Sequence, residues 1–422
     1  MNPSRPGWNP RAVACLGLLS LFLLSAALAR PAQASPAVSV TIKVASTPEG
    51  IAYAQGSGEV FVADDPRGAS HPGVVQVISD RTNAVVANIT VGNNPYGVVY
   101  DTAKGEVFVA NKGNDSVSVI SESNRIVVTS VSVGKSPYGL AYDSGAGEVF
   151  VANSGDGTVS VISDASNTVL KTVYVGITPQ NMAYDPARGE VFVVNNGGNS
   201  VPVISDSTNS VVQTILGFQQ PQGAEYDQGT GQVYVTNDNV AGVVNDSTDK
   251  VTGEIPLQQM PFGAAYDPAQ SEMLVTEAQA GNLAIIPDND TGSVSYVNVG
   301  YYPYYVAFDS GTDSAYVSND GSGTVSVVPL GAQQPATTST SSSSTTSSKA
   351  TTPTSTLATS SKAATSSTTQ APLATTQASP PAAKGTSGIP EFPYQLGVSV
   401  LAAVAMAAAY VLARRSGRNR LP

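Results

Sequence analysis

Residues 137–176 read PYGLAYDSGAGEVFVANSGDGTVSVISDASNTVLKTVYVG. Val and aromatic residues cluster in four short runs, 139–143, 147–153, 158–163 and 168–176. Between the runs stand Asp143-Ser144-Gly145, Ser154-Gly155-Asp156-Gly157 and Asp164-Ala165-Ser166-Asn167. Those residue types reverse a chain within a few positions, because Gly tolerates positive φ and Asp and Asn bond their own backbone. The stretch therefore predicts four antiparallel strands in about forty residues, the content of one propeller blade.

Its opening phrase is Pro-x-Gly, two small or apolar residues, an aromatic and Asp. The phrase recurs seven times, from Pro48, Pro95, Pro137, Pro179, Pro221, Pro261 and Pro303, at spacings of 47, 42, 42, 42, 40 and 42 residues. Periods near 42 suit propeller blades or helical solenoids, and the strand content selects blades. An open array would leave an unpaired sheet edge. The seventh copy runs out after a third strand at 324–328, while 39–44 (SVTIKV) precedes Pro48 just as 85–91 precedes Pro95. The expected architecture is all-β: a seven-bladed β-propeller over 35–330, its last blade closed by an N-terminal strand.

The second strands carry Tyr234-Val235-Thr236-Asn237 and the variants ending at Asn111 and Asn153. On these residues the chain resembles the YVTN-type β-propeller repeat proteins across all seven blades. That resemblance implies the propeller fold and, among the family's members, surface-layer association or secreted binding. Asp64 and Glu277 depart from it, standing where the motif Asn is expected.

The flanks give an address. Residues 1–34 hold Arg5 and Arg11, an uncharged apolar run at 12–28, and Ala32-Gln33-Ala34, the three parts of a signal peptide; an uncleaved anchor is the other reading. Residues 331–388 fall to Ser, Thr, Ala, Pro and Gln, with Lys349, Lys362 and Lys384 as the only charges, and cannot build a core. This reads as a disordered stalk, resembling O-glycosylated stalks or else an unmodified linker, with a flexible reach of roughly 40 to 45 Å.

In 389–422 a Pro390-Glu391-Phe392 motif precedes 18 uncharged residues, 396–413, and then Arg414, Arg415, Arg418 and Arg420. A transmembrane helix with a cytoplasmic basic tail is predicted. The order resembles archaeal C-terminal sorting signals of the Pro-Glu-Phe type, which implies sortase-like cleavage and transfer to lipid; an ordinary single-span anchor is the alternative. Both place the propeller outside the cell, membrane-anchored at its surface.

Composition excludes more than it proposes. The 422 residues include one His (His71), one Cys (Cys15) and one Trp (Trp8), the latter two in the predicted leader. The remaining chain has no thiol for disulfides, zinc sites or nucleophilic catalysis. Residues 35–330 carry 10 Lys and Arg against 30 Asp and Glu, so nucleic acid is not expected as a partner. No cofactor is required. Loops at 153–156 and 288–290 offer oxygens to calcium but match no twelve-residue loop, and Asp64, Asp65 and His71 share the long first-blade loop, a cation ligand set or a solvated turn.

Asp101, Asp143, Asp185, Asp227, Asp267 and Asp309 read as turn caps, and Glu59, Glu106, Glu148 and Glu190 as parts of the same repeated turn. Function is better sought where the frame repeats and the residue varies. The position after each Pro reads Glu49, Tyr96, Tyr138, Gln180, Gln222, Phe262 and Tyr304, a ring predicted to surround one mouth of the channel.

Aromatic faces with amide edges suit sugars or peptides, and the other reading of the ring is that it only packs the mouth. Tyr301-Tyr302-Pro303-Tyr304-Tyr305 adds a concentrated stacking platform, or packing around the closing blade. Asn88, Asn114, Asn245 and Asn289 open N-glycosylation sequons. The expected function is non-catalytic recognition of an extracellular glycan or surface protein. The rival is a carbohydrate-active hydrolase or lyase using paired channel carboxylates.

Overall fold

The computed structural model describes residues 35–66 and 71–331. The predicted signal peptide, stalk, sorting motif and membrane helix lie outside the described residues.

Seven four-stranded antiparallel sheets make up the described chain. In blade 3 the strands Pro137–Asp143, Glu148–Asn153, Thr158–Ser163 and Thr168–Tyr174 succeed one another outward. The first strands of successive blades are neighbours around the axis, including those of blades 7 and 1. In blade 7, Val40–Lys43 pairs antiparallel with Thr324–Pro329, with Ile42 opposite Val325. Helix is confined, among the described residues, to one 3-10 turn at Asp320–Ser322.

Burial follows from stacking sheets face to face. The second strand of each blade is covered on both sides and reads as a continuous apolar run, as in Glu148–Asn153. The outermost strand Thr168–Tyr174 is largely exposed. One large side chain per blade occupies the same second-strand position: Phe61, Phe108, Phe150, Phe192, Tyr234, Leu274 and Tyr316, all buried to 1% exposure or less. Each contributes roughly 1.5–3 kcal/mol of burial free energy to the packing between blades.

Polar repeats serve the frame. Asn153 donates through Nδ2 to Thr158 Oγ1 and Ser160 Oγ, bracing the adjoining hairpin, and Asn319 does the same with Thr324 and Ser326. The two departures have a local cause. Asp64 accepts the backbone N–H groups of Ser46 and Thr47, both at 2.9 Å, and Glu277 accepts that of Gln258 at 2.6 Å. Both carboxylates anchor the segment entering the first strand of their blade.

The six aspartates cap the turn that follows. Asp143 Oδ1 accepts from Gly145 N at 2.7 Å and Ala146 N at 3.0 Å, and the other five repeat the pattern. The repeated glutamates include inter-blade links. Glu59 accepts from Arg125 of blade 2, and Glu148 from Asn209 of blade 4 at 3.0 Å. Glu190 instead pairs with Arg188 of its own blade.

Candidate functional site: two ends of one channel

The first strands begin at one mouth of the channel and end at the other. At the beginning, two residues after each Pro, five blades carry Gly50, Gly97, Gly139, Gly223 and Gly263. The reason is contact between backbones. A Cβ on Gly97 would stand 2.3 Å from the carbonyl oxygen of Tyr138, and one on Gly223 would stand 2.1 Å from that of Phe262. This end of the ring is drawn tight by glycine.

The two blades that lack this glycine carry Asn181 and Tyr305. Tyr305 crosses the channel: its hydroxyl donates to Asn181 Oδ1 at 3.1 Å, from blade 7 to blade 4. Its ring meets Tyr96 of blade 2 edge-on at 6.1 Å and Phe262 of blade 6 at 5.5 Å. Asn181 in turn donates to the carbonyl of Gln222 at 2.8 Å. One side chain thus touches three other blades and plugs this mouth.

The ring expected from the sequence lies here. Tyr96 and Tyr138 pack at 4.0 Å, Phe262 and Tyr304 stack at 4.8 Å, and the ammonium of Lys112 sits 5.1 and 5.0 Å from the centroids of the Tyr96 and Tyr138 rings. Tyr138 donates to the Tyr96 hydroxyl at 2.6 Å, and Tyr96 donates to Glu49. Burial, reinforced by Asp320, pushes the Glu49 carboxyl up to about 8 against the opposing influence of Lys112 and the Tyr96 bond. Gln180 and Gln222 are half-buried. Tyr96, Tyr138 and Phe262 are only 9, 7 and 4% exposed, so these rings are spent on one another rather than turned outward. In the Tyr301–Tyr305 run, Tyr301 alone is well exposed, at 61%.

Beyond the plug the channel widens into an inner chamber of about 270 Å³ and an outer one of about 530 Å³. The outer wall is the aromatic position of the repeat: Tyr53, Tyr100, Tyr142, Tyr184, Tyr226, Tyr266 and Phe308. The hydroxyls are held by carboxylates. Tyr142 bonds with Asp164 of its own blade and Asp101 of the preceding one, and Tyr184 with Asp143 of the preceding blade. Burial and these neighbours push the tyrosines upward, Tyr100 to about 12. Blade 1 has Ala54 in place of Asp, and blade 2 answers with the longer Glu122, which accepts from Tyr100 at 2.6 Å. Exposed Gln55 and Gln228 stand on the rim of this open mouth.

Glu225 lines both chambers. Its equivalents in the other blades are Ala52, Val99, Ala141, Ala183, Ala265 and Ala307. Enclosure in the channel raises its carboxyl to about 8, opposed only by the backbone N–H of Tyr266. Asn181, Glu225 and the transverse reach of Tyr305 were missed by inspection of the position after Pro. Their common signal was in the sequence: each breaks a position that the other blades keep small.

The suggested cation loops are otherwise engaged. Asp156 accepts from Lys135 N and Thr158 Oγ1, Asp290 from Ser293, and Asp64 from the backbone as above. Among the described residues no group of three or more His, Cys, Asp or Glu side chains forms a metal ligand set. Asn88, Asn114 and Asn289 are exposed and Asn245 is half-buried.

No protein-family model and no curated protein matches this chain. Among solved structures, hydrazine synthase from Kuenenia stuttgartiensis is similar at a TM-score of 0.60 and 18% identity, over 68% of this chain and 96% of that one. The likeness is one of fold.

Proposed function

We propose that this chain is an exported, surface-anchored and non-catalytic binding module, allied to the YVTN-type propellers of surface layers, which takes a glycan or peptide segment at the open mouth. The observation that carries the reading is the contrast between the ends. One mouth is filled by its own aromatic rings, whereas the other is a chamber of about 530 Å³ walled by tyrosines and rimmed by Gln55 and Gln228. Such a chamber offers stacking edges and orienting amides without moving the scaffold.

A non-catalytic role is supported by the placement of the two first-strand carboxylates that stand outside the repeat. Glu49 and Glu225 occupy different levels of the strand, and neither is among the charges that shift the other. A glycosidase needs its two carboxyls about 5–10 Å apart around one bond. The leader, the Ser/Thr-rich segment and the apolar tail support the surface address.

The test is a glycan and peptide array probed with the full chain and two variants. Gln228→Ala combined with Gln55→Ala is expected to weaken binding at least fivefold, and Tyr304→Ala to leave it unchanged. Loss in Tyr304→Ala with full binding in the glutamine variant would move the site to the plugged mouth and overturn the assignment.

A further inference from the structure

We propose that the open chamber receives a protonated amine, with the Glu225 carboxylate as its counter-ion. The inference rests on the reading of the open mouth as the binding site and narrows it to a ligand class.

Four observations converge. Glu225 has no role in the repeat frame, since six blades manage with Ala or Val at its position. It stands where the inner and outer chambers meet, so a group entering the channel passes it. Among the described residues no Lys, Arg or His lines either chamber, so no cation of the described chain stands beside the carboxyl there. The surroundings favour positive charge. Residues 35–330 carry 10 Lys and Arg against 30 Asp and Glu, and a strongly acidic body concentrates cations around it. Tyrosine rings on the chamber wall add cation–π attraction.

The groups facing Glu225 define its titration. At its own level the other blades present only aliphatic side chains. Toward the open mouth stand Tyr53, Tyr100, Tyr142, Tyr184, Tyr226 and Tyr266, and toward the plug Tyr305, all pushed up by burial and so neutral where Glu225 titrates. Burial raises this carboxyl to about 8. An arriving ammonium must therefore displace its proton. Below that pH, affinity should rise about tenfold per pH unit, and it should level off above it.

The experiment titrates the full chain with n-butylammonium and with neutral n-butanol from pH 6 to 9, following tyrosine ring resonances by NMR. The expected result is ammonium binding that tightens about tenfold from pH 6 to 7 and flattens above 8, with butanol indifferent to pH. Glu225→Gln, an isosteric change, should weaken ammonium binding at least tenfold and remove its pH dependence. Glu225→Ala, which restores the residue of the other blades, should do the same should the Gln variant fold poorly.

Equal binding of ammonium and butanol, or ammonium binding unchanged in both variants, overturns the amine and leaves the open mouth as a binding site for neutral ligands. Binding of neither probe overturns the amine also. A simultaneous loss of Gln55 and Gln228 dependence on the array would show that the broader reading has failed with it.

Discussion

The two mouths of this channel are built by the same seven strands, yet one is sealed and the other is open. At the sealed end, glycines two residues after Pro let neighbouring backbones approach, and the side chains around them fold inward onto Tyr305. At the open end, Asp-capped turns finish six of the seven strands, and the tyrosine hydroxyls are pulled toward carboxylates at the blade junctions. Rings tethered in this way line a space and leave it empty. Positions that repeat write the scaffold, and the few that break the repeat, Glu49, Asn181, Glu225 and Tyr305, write the chemistry of the channel.

The largest test of the sealed end is Gly223→Val. The new Cβ would fall 2.1 Å from the carbonyl oxygen of Phe262, a contact only backbone displacement relieves. We expect a loss of at least about 4 kcal/mol by chemical denaturation, or failure to fold. Gly253→Val, on an outermost strand with nothing within 4 Å of its Cβ, is the control and should change stability by less than about 1 kcal/mol. Similar losses in both variants would remove close approach as the reason for the glycines.

Next comes the plug. Tyr305→Ala deletes the ring that meets Tyr96 and Phe262 and should cost about 3–5 kcal/mol. Tyr305→Phe removes only the 3.1 Å bond to Asn181 and should cost about 1 kcal/mol. A Phe variant as unstable as the Ala variant would mean that the cross-channel hydrogen bond, and not ring packing, holds this mouth shut.

A smaller effect separates the two buried carboxyls from the rest of the acidic chain. Glu49 and Glu225 are raised from 4.5 to about 8 in the folded protein. Between those values the folded state keeps protons that the unfolded chain has released, so their contribution to stability is full below pH 4.5 and is lost as pH rises to 8. The unfolding midpoint should fall between pH 5 and 9. Glu225→Gln should stabilise the chain by a few kcal/mol at pH 9 and by less than about 1 kcal/mol at pH 5, with Glu49→Gln acting likewise at the other mouth. A stabilisation of equal size at both pH values would show that neither carboxyl titrates in this range.

Much of the fold was legible in the sequence because a propeller repeats its own grammar. The Pro-x-Gly phrase, the Asp turns and the Val-rich runs each recur at the same spacing, and every strand of blade 3 falls within two residues of its expected bounds. The ring after each Pro was also placed at one mouth, where the structure brings Tyr96, Tyr138, Phe262 and Tyr304 together. Whether those rings face water or one another was not legible. That depends on Tyr305 reaching Asn181 across 124 residues of chain, a distance that local pattern does not carry. The open chamber was hidden for the converse reason: its tyrosines recur so regularly that they read as frame.

Blade 7 offers the finest test of how the open mouth is kept open. Its aromatic is Phe308, without a hydroxyl, and the position filled by Asp164 in blade 3 is Leu330, buried against Phe308. Asp267, the preceding blade's carboxylate, consequently receives no tyrosine hydroxyl from blade 7, where Asp143 receives that of Tyr184. Phe308→Tyr should supply Asp267 with that donor and stabilise the chain by about 1 kcal/mol. Leu330→Asp alone buries a carboxylate beside Phe308 and should cost about 2 kcal/mol or more. Combined with Phe308→Tyr it should recover at least about 0.5 kcal/mol, the coupling measured by a double-mutant cycle on denaturation free energies. Strict additivity would mean that each tyrosine holds its place by packing alone, and the carboxylate tether would no longer explain why this mouth stays clear while the other is filled.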